Sequence, residues 1–179
     1  MSDPEFSRPV ALDTIGPSAR DLAIEADAGE RAALAKRFDL IALGRLVASL
    51  RLWRDGDDVR AEGRIEAEAT QRCVATGEPV PAAIDAPFDL VFRRADPGRP
   101  DEEIELGESE MDVVFFDGGA IDIGEAAAET LALSLDPYPR APGADDALRT
   151  AGVKSEEEAG PFGVLAGLKD RLGGPDRGT

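Results

Sequence analysis

From Val59 the chain alternates between two characters: Val59, Ala61, Gly63, Ile65, Ala67 and Ala69 are interleaved with Arg60, Glu62, Arg64, Glu66, Glu68 and Thr70. A strict period of two is the pattern of a strand with one buried and one wet face. A second alternating run follows with the opposite parity. Ile84, Ala86, Phe88, Leu90 and Phe92 share one face, and Asp85 and Asp89 the other. Residues 74–83 hold Gly77, Pro79 and Pro81, which a sheet interior rejects, so the segment reads as the turn. The two runs predict a long antiparallel hairpin.

Weaker patterns flank it. Residues 5–12 (EFSRPVAL) predict a short strand, with Pro9 arguing for an edge. Leu22, Ile24 and Ala26 alternate over 20–26 and predict a second strand. Asp27 and Glu30 then have the N-cap to N3 spacing of a capping box, ahead of ERAALAKRF. Leu34 and Phe38 share one face of that helix. Leu46, Ala48, Leu50 and Leu52 alternate over 45–54, and Asp55–Asp58 (DGDD) turns into the Val59 strand, so residues 45–94 form a three-stranded meander. Farther on, MDVVFF is a brief strand and Asp117-Gly118-Gly119 a turn. Asp122 and Glu125 repeat the capping spacing before a helix striped by Ile123, Ala127, Leu131 and Leu135, which Asp136-Pro137 ends.

Residues 136–160 are rich in Pro, Gly and charge and read as a flexible linker, save a helical turn near Leu148. Phe162, Leu165 and Leu168 restore apolar spacing in a short helix over 161–172. That helix either docks back on its own domain or is laid into a partner's groove. The expected organisation is one domain over 1–135, the linker, and the terminal helix. Its fold class is α+β: an antiparallel, twisted or partly closed, barrel-like sheet of about five to seven strands, two packed helices and a flexible C-terminal tail.

Composition narrows the picture. Of 179 residues 42% are apolar but only 5% aromatic, so the core is aliphatic and modest. There are 37 acids against 20 bases, a net charge of -17, and no histidine. Residues 96–125 carry eleven acids and one base, whereas 31–95 are nearly neutral, with eleven bases and ten acids. Such a polyanion does not gather a second polyanion non-specifically, because phosphate binding is driven by Lys and Arg displacing counterions. It draws basic partners instead, more weakly as salt rises; the plainer reading is that the acids only keep the chain soluble. One cysteine excludes an intramolecular disulfide framework and fits a reducing compartment. The first residues lack the basic and apolar regions of a signal peptide, and no apolar run reaches membrane-spanning length, so a cytoplasmic location is expected.

Candidate chemistry is sparse. Without histidine there is no imidazole base, Ser–His or Cys–His pair, or imidazole metal ligand. Cys73 has only Arg72 beside it to lower its pKa and reads as a structural thiol. Glu66 and Glu68 sit on the wet face of a strand and read as solvated. The EEIELGESE run lacks the order of a calcium loop, and Gly118-Gly119 is no phosphate cradle. No enzymatic activity, cofactor or metal is expected. A magnesium-dependent nuclease would need several acids converging in one cleft.

Between the two alternating strands stands Gln71-Arg72-Cys73-Val74-Ala75-Thr76-Gly77-Glu78-Pro79-Val80, which closely resembles the YceD family of large-subunit (23S) ribosomal RNA accumulation proteins. Three further pieces occur in the same order: ERAALAKRF, ALSLDPYPR from Ala132 to Arg140, and PFGVLAGLK from Pro161 to Lys169. The resemblance covers roughly residues 5–170. It implies a role in ribosome biogenesis, supporting accumulation of the large-subunit RNA without established catalysis. The partner implied is a basic ribosomal protein, bL32 being suggested, or a pre-ribosomal particle. The alternative is a module that contacts precursor RNA directly. Some members carry a later cysteine cluster resembling a zinc site; residues 136–160 here have no cysteine, so no metal is carried over. The partner-binding candidates are Arg72, Cys73, Glu78 and Pro79 at the corner, Arg93 and Arg94 at the hairpin's end, Tyr138, and Phe162, Leu165, Leu168 and Lys169 in the tail.

Overall fold

A computed structural model describes residues 4–95 and 112–153. Its spine is the expected hairpin, β4 (Asp58–Arg72) and β5 (Pro79–Arg94). Their antiparallel register sets Val59 opposite Phe92, Ala61 opposite Leu90, Gly63 opposite Phe88 and Ile65 opposite Ala86. The reversed parity of the two runs therefore brings both apolar sets to one face. β3 (Ala42–Asp55) pairs with the other side of β4, and β2 (Arg20–Glu25) with β3, both antiparallel. At the far side β6 (Asp112–Phe116) runs parallel to the end of β5, from Leu90↔Asp112 to Arg94↔Phe116. The sheet order is β2-β3-β4-β5-β6.

Helix α1 (Ala28–Arg37) starts on the expected capping box: Asp27 accepts the Glu30 amide at 2.9 Å, and the Glu30 carboxylate accepts the Asp27 amide at 2.8 Å. Helix α2 (Ile123–Ser134) starts at Asp122, which accepts the Gly124 and Glu125 amides. Glu125 does not close a second box; it turns to Arg37 of α1, at 2.7 Å. The two helices bury Leu34, Ile123, Ala127 and Leu131 against Leu46, Leu52, Ile65, Phe88 and Phe92 in one core.

Several expectations change. The sheet is not closed into a barrel: β2 and β6 remain its two edges, because the inner face is covered by α1, α2 and a separate ribbon of β1 (Pro9–Ala11) with β7 (Ala120–Asp122). The sheet is also not wholly antiparallel, since β6 returns alongside β5 in the same direction. The strand expected over 5–12 shrinks to β1, with Phe6 buried before it and Leu12 in a 3-10 turn after it. The hairpin turn is shorter than 74–83, because β5 already begins at Pro79 and takes in Pro81 and Pro87. All three prolines have the same parity. Their nitrogens point away from β4 toward an edge that β6 does not reach, where a missing N–H costs no ladder bond.

The stretch read as a linker opens as a packed segment. Pro139, Ala141 and Ala144 are buried, and a third helix, α3 (Ala144–Thr150), contains Leu148. Phe162, Leu165, Leu168 and Lys169, with the rest of the terminal segment, lie outside the described residues.

Candidate functional site

The corner between β4 and β5 is where distant parts of the chain meet. The Cys73 amide donates to the Glu78 carbonyl at 2.8 Å and the Gly77 amide to the Cys73 carbonyl at 2.9 Å, closing the turn. Gly77 takes φ +75°, a left-handed conformation that an L side chain resists. The segment after α2 folds across this turn: the Val74 amide donates to the Pro139 carbonyl at 2.9 Å, and Gln71 Nε2 to the Asp136 carbonyl at 2.7 Å. Gln71 is itself buried, and among the described residues its Oε1 has no partner.

Cys73 lies under this junction, 2% exposed, among Ala75, Val80, Ala141 and Ala144. Its Sγ accepts the Ala141 amide at 3.3 Å and the Thr76 amide at 3.4 Å. Those donors, Ala141 first, stabilise the thiolate against the cost of burial and lower the thiol's pKa to about 7. The sequence offered only Arg72 for this task, and the donors turn out to be backbone amides. Burial leaves the sulfur a structural role.

Around the junction the surface mixes apolar and charged side chains, Asp39 and Asp136 among them. A shallow cleft of about 320 Å³ is lined by Phe38 and Leu40 after α1, Gln71 and Val74 at the corner, and Leu135 and Pro139 after α2. Arg72 lines it too and is exposed. Val74 stays 54% exposed and Tyr138 74%, so neither belongs to the core. Glu78 and Pro79 are exposed at the turn, Glu78 accepting the Thr76 hydroxyl at 3.1 Å. Thus Arg72, Cys73, Glu78, Pro79 and Tyr138 are brought together.

The model of the family described as large ribosomal RNA subunit accumulation protein YceD matches residues 61–169, which takes in the hairpin, the corner and the segment folded across it. The chain belongs to the YceD family. No curated protein and no solved structure matches it. Family membership ties the chain to accumulation of the large-subunit ribosomal RNA.

Arg93 and Arg94 are not part of the YceD corner. They stand at the opposite end of β4, about 45 Å away along its 15 residues at roughly 3.3 Å each. Arg93 is clamped to Asp58, at 2.6 Å from Nη2 and 3.1 Å from Nε, and Arg94 lies over the Phe116 ring. Sequence reasoning missed Phe38, Leu40 and Leu135 as cleft residues and Arg54 as a neighbour of Arg94. Their only signal was apolar or basic character at element ends, which many residues share.

The face of the sheet away from the helices is wet. It carries Arg45, Arg51, Glu62, Arg64, Glu66, Glu68, Asp85 and Asp89, all exposed, and the half-buried Arg60. Arg45 pairs with Glu66 at 2.6 Å and Arg64 with Asp85 at 2.7 Å across neighbouring strands. Among the described residues no group of three or more His, Cys, Asp or Glu is placed to hold a metal ion. None of their helices is long and apolar enough to cross a membrane.

Proposed function

We propose that this YceD protein acts without catalysis, as an assembly factor that supports large-subunit RNA accumulation by holding a basic ribosomal protein, free or within a precursor particle. The observation that carries this reading is the charge of the chain, -17 overall, with eleven acids against one base over residues 96–125. Such a surface steers cationic partners and is weakened by salt. Short-range affinity comes from the YceD corner, where Tyr138 and Val74 offer an amphipathic ring and a branched side chain beside the shallow cleft. The small basic protein bL32, suggested by the resemblance, is the first partner to test.

The experiment is affinity purification from cells at low and at high salt, with the retained proteins identified. A basic large-subunit protein should be retained at low salt and released at high salt, and Tyr138→Ala should reduce its retention several-fold. Retention of no ribosomal protein at either salt would overturn the reading.

A further inference from the structure

We propose that the cleft at the far end of the hairpin, between Arg54, Arg94 and Phe116, binds a phosphate group of single-stranded RNA. The cleft has a volume of about 710 Å³ and is also lined by Leu12, Asp57, Asp58 and Arg93. Arg54 is fixed by backbone carbonyls: Nη2 donates to Leu12 at 2.7 Å, Nε to Ile15 at 3.3 Å, and its amide to Gly16 at 2.8 Å. Carbonyls orient a guanidinium without cancelling its charge. Arg94 is exposed, stacks 5.4 Å from the Phe116 centroid, and makes no ion pair among the described residues. Arg93 is the neutralised member, held by Asp58. Among the described residues Arg54 and Arg94 thus outnumber the one carboxylate left at the opening, Asp57, whereas Arg8, Arg37, Arg45 and Arg64 each face a carboxylate.

A phosphate fits this pair because a guanidinium presents paired donors matched to its oxygens. RNA fits better than a carboxylate peptide because the half-buried Phe116 gives the cleft an aromatic wall on which a sugar or base can rest. The chain's overall negative charge does not forbid it. At physiological ionic strength the Debye length is about 8 Å, so acids beyond the cleft are largely screened while a contact inside it is not. The inference does not rest on the proposed protein partner; it joins an RNA contact at one end of the hairpin to a protein contact at the other.

The test is a titration of a labelled short oligouridylate with the purified full chain alone, at physiological salt. Binding is expected, with inorganic phosphate competing. Arg94→Gln should weaken it about tenfold, the loss of one charge-assisted contact, while its thermal melt stays that of the wild type. Arg149→Gln, on α3 at the other end of the hairpin, should leave it unchanged. The proposal is overturned if the wild type does not bind, if the two substitutions weaken binding equally, or if a polyglutamate peptide binds as tightly. Because no second protein is present, none of these results depends on the salt-sensitive partner.

Discussion

At Cys73 a buried sulfur receives two amide hydrogen bonds, so its protonation and the packing of residues 139–144 are linked. The folded pKa, about 7, lies below the value of an unfolded thiol, about 8.5. The stabilisation from ionisation is therefore fully present above the unfolded value and is lost as pH falls through about 7. Between those limits the wild type should gain thermal stability relative to Cys73→Ala, and the native thiolate absorbance should titrate with a midpoint near 7. A midpoint at the ordinary thiol value would contradict the hydrogen-bonded sulfur. Removing the sulfur strands two donors, at a cost of about 1–3 kcal/mol. Gly63 is constrained by space rather than by charge. A Cβ there would lie 2.1 Å from the Ser49 carbonyl oxygen and 2.6 Å from Leu50 Cα, both backbone or backbone-fixed atoms. Gly63→Ala should cost at least about 2 kcal/mol in chemical denaturation, near or beyond the upper end of ordinary overpacking; a neutral result would mean that β3 and β4 approach less closely.

Among the elements, α2 depends on Asp122 for more than its own cap. One carboxylate accepts the Gly124 and Glu125 amides, the Arg8 amide at 2.8 Å and the Ser7 hydroxyl, so it fastens the N-terminal segment to the helix start. Asp122→Ala should cost about 1–2 kcal/mol, the upper range for a cap, and Asp122→Asn appreciably less because its amide oxygen still accepts. Equal losses in denaturant titrations would place the effect in charge rather than in the cap. In β5 the prolines have a different task. Among the described residues the strand between Pro79 and Asp89 is paired to β4 alone, and prolines at 79, 81 and 87 remove outward donors that would invite another strand. Replacing Pro81 and Pro87 together by valine should leave the monomer folded yet raise self-association with concentration, visible by light scattering.

For the whole molecule, acid pH acts in two directions. The Glu30 carboxyl is held below its usual range first by the Arg8 guanidinium, Asp27 by the Glu30 amide, and Asp85 by Arg64. Each contributes stability above the unfolded carboxyl pKa, about 4, and loses it as pH falls through its lower folded value. Acidification from pH 7 also relieves the self-repulsion of a -17 chain as it approaches its isoelectric point near 4.3. From pH 7 toward about pH 5 that relief is opposed by the loss of the Cys73 contribution, so stability should change little there and fall below about pH 4. A melting temperature that dropped steadily from pH 7 would mean the lost contributions outweigh the relieved repulsion throughout.

The chain's own order determined the hairpin parity, the capping box at Asp27 and Glu30, the helix stripe of Ile123, Ala127 and Leu131, and the charge imbalance. Each depends on neighbours a few residues apart or on composition alone. The family resemblance was legible at Gln71–Val80 for the same reason. What only the tertiary structure decided depends on partners far away in sequence. Register and edge position made Pro79, Pro81 and Pro87 strand residues, and the covering helices and β1–β7 ribbon left the sheet open instead of barrel-like. Packing of Asp136–Ala144 over the turn gave Cys73 its Ala141 donor. The length of β4 separated Arg72 from Arg94 and set Arg94 beside Arg54, because a hairpin carries residues near its turn and near its open ends to opposite ends of a sheet, and no local pattern records which distant strands meet them there.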